Sequence, residues 1–110
     1  MPRHLLTDFE LMILLATLRV GDRAYGVPIA TEIGRTGGRQ VVVAAVYAAL
    51  DRLERNGLVS SSIGEPTPER GGRAKRFFSV SAKGVEGVAR SQRSYQRLLQ
   101  GLKLPGVAHA

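Results

Sequence analysis

The sequence predicts a mainly α-helical fold with one small β-hairpin: a winged helix-turn-helix extended by a C-terminal dimerisation helix. Three observations carry that prediction. A helical pattern over residues 44–56, closed by Gly57, runs straight into two strand-like segments. The tip between those segments, EPTPERGGRAKR, concentrates positive charge. The last helix bears an apolar seam longer than a small core can cover. A helix followed at once by a basic hairpin is the way such a fold meets DNA, with the helix for the major groove and the hairpin for the backbone or minor groove beside it.

The first helix opens at Thr7, an N-cap with Glu10 three residues on, and runs to about Arg19 before Gly21 stops it. Its Phe9, Leu11, Met12, Ile13, Leu14, Leu15 and Leu18 cover nearly the whole circumference, so burial is expected on more than one side. In so short a chain the second buried side points to a partner subunit. After the Gly21-Asp22-Arg23 turn, a helix over 26–34 sets Val27, Ile29, Ala30 and Ile33 partly on one face, with Pro28 tolerated in its first turn. A glycine-rich loop over 34–39 follows. The run Val41-Val42-Val43 fits either a short strand or the apolar start of the third helix.

In the third helix Val46, Leu50 and Leu53 form the core face, and Leu58 seals the end after the Gly57 C-cap. The other side holds Ala44, Ala45, Tyr47, Ala48, Asp51, Arg52 and Arg55. Small side chains first and arginines later suit a helix whose N-terminal end comes close to DNA, where alanine methyls can touch thymine methyls. The plainer alternative is that alanines are good helix formers on a solvated surface.

Strands are expected over 58–64 and 74–80, with Val59, Ser61 and Ile63 alternating against Ser60 and Ser62, and Phe78 and Val80 against Phe77 and Ser79. Between them Arg70, Arg73, Lys75 and Arg76 crowd together on a glycine-flexed tip, an arrangement that follows a phosphate path, or else a solvated loop. Ser81 caps the last helix, expected to reach about Leu102. Its Val85, Val88, Gln92, Tyr95, Leu99 and Leu102 form a heptad seam, for a second long helix or for the chain's own domain. The organisation read from this is a DNA-binding domain over 1–80, a dimerisation helix over 81–104 and a disordered tail over 105–110.

Composition narrows the function. At 110 residues the chain is one small domain with limited burial, which pairing with a second copy would help. Sixteen Lys and Arg against nine acidic residues, a net charge of +7, call for a polyanionic partner. No apolar run approaches the roughly 18 residues of a membrane span, and no leader pattern is seen, so a cytoplasmic location without membrane contact is expected. The absence of cysteine removes disulfides and thiolate chemistry, and His4 and His109 lack partners at ligand spacing, so neither metal nor cofactor is expected. No nucleophile set, paired acids or phosphate-cradling loop suggests an enzyme.

Three segments together resemble the PadR family of bacterial transcriptional regulators: GDRAYGVPIATEI (21–33), VYAALDRLERNGLV (46–59) and GGRAKRFFSVSAKG (71–84). The resemblance covers about residues 5–102. It implies a winged helix-turn-helix whose terminal helix dimerises, bound to a palindromic operator and usually repressing transcription. Tyr47 matches the family's recognition-helix tyrosine, commonly a phosphate contact, and Gly72 and Arg73 match the Gly-Arg of the wing. The single terminal helix resembles the small subfamily, some of whose members hold planar aromatic ligands at the dimer interface.

Two departures stand out. The usual hydroxyl-bearing start of the recognition helix is replaced by Val42-Val43-Ala44-Ala45, and no tryptophan is present for ligand stacking; Tyr95, near the position where one such group carries that tryptophan, fits a core role better.

The expected function is therefore a homodimeric DNA-binding regulator, a repressor at a palindromic operator. The two third helices would sit one DNA turn apart, on the order of 34 Å. The expected DNA-binding residues are Arg39, Gln40, Ala44, Ala45, Tyr47, Ala48, Arg52, Arg70, Gly72, Arg73, Lys75 and Arg76. The expected dimer interface comprises Phe9, Met12, Val85, Val88, Gln92, Tyr95, Leu99 and Leu102, and a small aromatic effector would sit near Phe9, Met12, Gln92 and Tyr95. The competing reading, prompted by the unusual VVAAVY, is a protein-interaction winged helix without sequence-specific DNA binding.

Overall fold

The computed structural model describes residues 5–64 and 74–105. Helix α1 (Asp8–Val20) begins in a capping box: the Glu10 amide donates to Thr7 Oγ1 at 3.1 Å, and the Thr7 amide to Glu10 Oε1 at 2.9 Å. One face of α1 buries Ile13, Leu14, Ala16 and Thr17, while Leu15 and Leu18 on the far side stay 42% and 46% exposed. The apolar circumference read from the sequence is thus covered on one side within a single chain. Gly21, at φ 85°, turns the chain where other side chains would be strained.

Helix α2 (Gly26–Arg35) sends Ile29 and Ile33 into the core, but Val27, expected on its inner face, is half exposed. Helix α3 (Val43–Arg55) begins at Val42, an extended N-cap, so the valine run is the approach to a helix and holds no strand. At the other end the Leu58 amide reaches the Leu53 carbonyl at 2.8 Å and the Gly57 amide that of Glu54 at 3.0 Å. With Gly57 at φ 78° this is a Schellman turn, and it brings buried Leu58 over buried Leu53. Val46, Ala49, Leu50 and Leu53 are all fully buried, as the spacing of the valine and leucines predicts.

Strands β1 (Val59–Ile63) and β2 (Arg76–Val80) pair antiparallel with Val59 opposite Val80 and Ile63 opposite Arg76. Phe78 is the core residue of β2, and its amide donates to the Ala24 carbonyl at 2.7 Å, tying the hairpin to the α1–α2 turn. The alternation expected in β1 stops short: Ile63 is 68% exposed because the hairpin has left the core by that point. Helix α4 (Ala82–Leu99) is capped by Ser81, whose hydroxyl accepts from the Gly84 amide at 3.1 Å. It ends three residues earlier than expected, where the chain leaves the helix at Gln100 and turns through Gly101 at φ 80°. Among its residues only Gly84 is buried. None of the described helices is long and apolar enough to cross a membrane. The disordered tail expected over 105–110 lies, after Pro105, outside the described residues.

Candidate nucleic-acid interface

Ala44, Ala48, Arg52 and Arg55 are exposed on α3, a stripe at helical spacing opposite the buried Val46, Leu50 and Leu53. Ala45 and Tyr47 flank it, half buried. The stripe continues into Val42, 70% exposed, and the exposed loop residues Arg39 and Gln40. Val42 makes no side-chain cap, so the amides of Val43 and Ala44 at the start of α3 have no capping side chain. Between α2 and this end of α3 runs a groove of about 540 Å³, lined by Val27, Ala30, Thr31, Gln40 and Val42 among others. Arg39 pairs with Asp8 at 2.8 Å, an exposed contact of little strength that a phosphate can displace.

Tyr47 reaches away from the stripe. Its hydroxyl accepts from the Gly26 amide at 3.1 Å, and its ring lies 6.3 Å from that of Phe78. A Cβ on Gly26 would stand 2.2 Å from the Tyr47 ring, so a larger residue there would push the ring from its seat. The phenol keeps its own O–H as a donor.

At the base of the hairpin, Lys75 is exposed and its Nζ lies 4.8 Å from the centre of the Tyr25 ring. Tyr25 meets Phe77 edge-on at 5.8 Å, and Arg23 stacks over Phe77 at 5.2 Å. Arg23 was missed by sequence reasoning because a single turn residue has no periodicity; its nearness to a basic hairpin is a matter of fold. Arg70, Gly72 and Arg73 lie outside the described residues.

Arg76 departs from its expected company. Its Nη1 donates to Asp51 at 2.9 Å, its Nε to Ser61 at 3.2 Å and its Nη2 to Glu54, while the guanidinium covers the Phe78 ring at 4.8 Å. Ser61 in turn donates to Glu54 at 2.6 Å. That hydroxyl, with Arg76 beside it, holds the Glu54 carboxyl below its ordinary range, and Asp51 first, then Glu54, hold the guanidinium more firmly protonated than usual. Arg76, expected among the DNA contacts, is thus engaged by side chains of its own chain, with its side chain 36% exposed. Nothing in the sequence marks Asp51 and Glu54 as its partners, 25 and 22 positions away.

A second polar cluster fastens α1 to α2. Glu32, nearly buried, accepts from Arg19 at 2.8 Å, Arg35 at 2.9 Å and the Thr36 hydroxyl. Thr36 above all, then the two arginines, lower its carboxyl to about 2.

The residues expected at a dimer interface divide. Val88, Phe9 and Met12 are half buried and pack on the core, whereas Val85, Gln92, Tyr95, Leu99 and Leu102 are exposed. Leu98, outside the heptad seam, is the most exposed of the α4 apolar residues at 73%. Met12 lies against Gly37 and lines a groove of about 160 Å³ with Leu15, Ala16 and Ile33, on the α2 side of α1. The described residues contain no group of three His, Cys, Asp or Glu suited to a metal ion.

A helix with an exposed, cation-bearing stripe, set beside a cationic β-hairpin in a three-helix core, defines the winged helix-turn-helix class of DNA-binding proteins. The profile of the transcriptional regulator PadR-like family matches residues 14–90. The chain belongs to that family and is a DNA-binding transcriptional regulator. Solved structures share the fold. A transcriptional regulator from Clostridium thermocellum aligns with a TM-score of 0.67 at 19% identity, over 83% of this chain and 85% of its own. A PadR-like transcription factor from Bacteroides fragilis gives 0.67 at 23% over 82% of each chain. A PadR-like regulator from Bacillus cereus gives 0.61 at 21% over 86% and 93%. No curated protein matches the chain.

Proposed function

We propose that the protein works as a homodimer joined through α4 and the outer face of α1, and that it represses transcription by holding a two-fold symmetric operator. The observation that carries this reading is the exposed Ala44–Ala48–Arg52 stripe, continued into Arg55 and beginning at a helix end without a side-chain cap. Ala44, Ala45 and Ala48 would lie nearest the bases, while Arg39, Gln40, Tyr47, Arg52, Lys75 and the wing residues Arg70, Gly72 and Arg73 would meet phosphates. The exposed apolar row of α4, with Leu15 and Leu18 of α1, supports the dimer. A small aromatic effector binding between the first and last helices of the pair, near Phe9, Met12, Gln92 and Tyr95, would release the operator. The protein would act in the cytoplasm.

The test is selection of bound genomic fragments by the purified protein, followed by anisotropy titration of the recovered sequence. Nanomolar, sequence-selective binding to a two-fold site is expected. Weak binding without selectivity would instead support a winged helix that docks a protein on its alanine and valine surface, a reading favoured by the 70% exposure of Val42.

A further inference from the structure

We propose that Arg76 is a positioning residue that sets the angle between the hairpin and α3, with Asp51, Glu54 and Ser61 as its sockets; the proposal rests on the DNA-binding reading. Three nitrogens of one guanidinium engage three side chains drawn from α3 and β1, so a single residue of β2 spans all three elements. The planar fork and the Phe78 ring beneath it fix the direction of approach. Taken together the one cation and two carboxylates carry a net negative charge, which is the wrong sign for a phosphate contact.

The location makes the contact matter. Arg76 pairs across the hairpin with Ile63, the point where β1 is already two-thirds exposed and core packing no longer holds the strands. At that level the angle of the two strands to α3 must be held by contacts outside the core. The Arg76 network supplies that restraint towards α3, and Phe77 against Tyr25 supplies one towards α2. A wing held at a fixed angle meets its phosphates at the same time as α3 meets the bases, without an ordering cost on binding.

Two sets of measurements test this. In the first, full-length wild type, Arg76→Lys and Glu54→Gln are titrated against the selected genomic fragment over a range of salt. Both substitutions are expected to weaken binding about tenfold, with the salt slope unchanged. Lysine keeps the charge but cannot span three sockets, and Glu54→Gln weakens binding although it removes a negative charge facing DNA. Tight binding by Arg76→Lys together with undiminished binding by Glu54→Gln would overturn the proposal, as would a slope lowered by about one unit in Arg76→Ala.

The second set needs no DNA, so it still decides the matter should the wild type fail to bind any fragment, a result that would count against the proposed function alone. The chain has no cysteine, so spin labels at Ala44→Cys and Ser62→Cys report the angle directly, with labelled protein diluted in unlabelled. A single narrow distance is expected, broadened by Arg76→Ala and by the near-isosteric Glu54→Gln. A distribution unmoved by both overturns the proposal.

Discussion

At the residue scale, two glycines of α4 make opposite predictions from one substitution. A Cβ on Gly84 would stand 2.2 Å from the Leu58 carbonyl oxygen, backbone that cannot step aside, so Gly84→Ala should cost about 1–3 kcal/mol and lower the Tm accordingly. Gly87 has only Leu6 Cδ1 at 3.4 Å, so Gly87→Ala should stabilise the helix by about 0.5–1 kcal/mol. Thermal melting of the pair checks both signs at once. The methyl-bearing start of α3 makes a different kind of prediction. If Ala44 and Ala48 read thymine methyls, replacing thymine by deoxyuridine at a contacted position should weaken binding about fourfold per methyl. A base with no loss at any position would mean that this helix end reads no methyl. Tyr47 shows how far one residue can be read from sequence. Spacing put it on the outer side of α3, whereas its ring packs on the core and its hydroxyl meets Gly26, a contact across 21 positions that leaves no local pattern.

At the element scale, what was legible was what each segment needs for itself. Thr7 with Glu10 marked the start of α1, Gly57 the end of α3 and Ser81 the start of α4, since caps are satisfied within a few residues. The valine run could not be read in the same way: three β-branched residues suit strand and helix start alike, and the choice fell to Val42 as an extended N-cap. The polar contacts between elements were equally hidden, and Glu32 is the case with a measurable signature. Its carboxyl lies near 2 in the fold against about 4.5 unfolded, so the unfolded chain binds its proton first as pH falls. The stability it contributes to the α1–α2 contact is complete above about 4.5 and is lost between there and about 2. Glu32→Gln should therefore flatten the acid limb of a stability curve followed by urea unfolding. A limb as steep as that of the wild type would assign the acid sensitivity to other carboxylates.

At the scale of the whole molecule, α4 exposes an apolar row that nothing among the described residues of the single chain covers. Tyr95→Asp with Leu98→Asp alters side chains that are 52% and 73% exposed, so the single chain should keep its fold. Sedimentation equilibrium should nevertheless show a monomer, and affinity for a two-fold site should fall to that of one half-site. A variant that sediments like the wild type would count against the proposed pairing through α4. The first turn of α4 is also fastened to the end of α3: Ser81 donates to the Gly57 carbonyl at 2.6 Å, Lys83 to that of Asn56 at 2.8 Å, and Gly84 lies on Leu58. Beyond Val88, which packs on the core, the helix runs on to Leu99 as a lever about 16 Å long, so a tilt of about 10° at its base sweeps the tip through about 3 Å. The mechanical advantage runs both ways: a large displacement at the tip is geared down to a small rotation of α3, the scale of movement on which the match to a DNA groove depends.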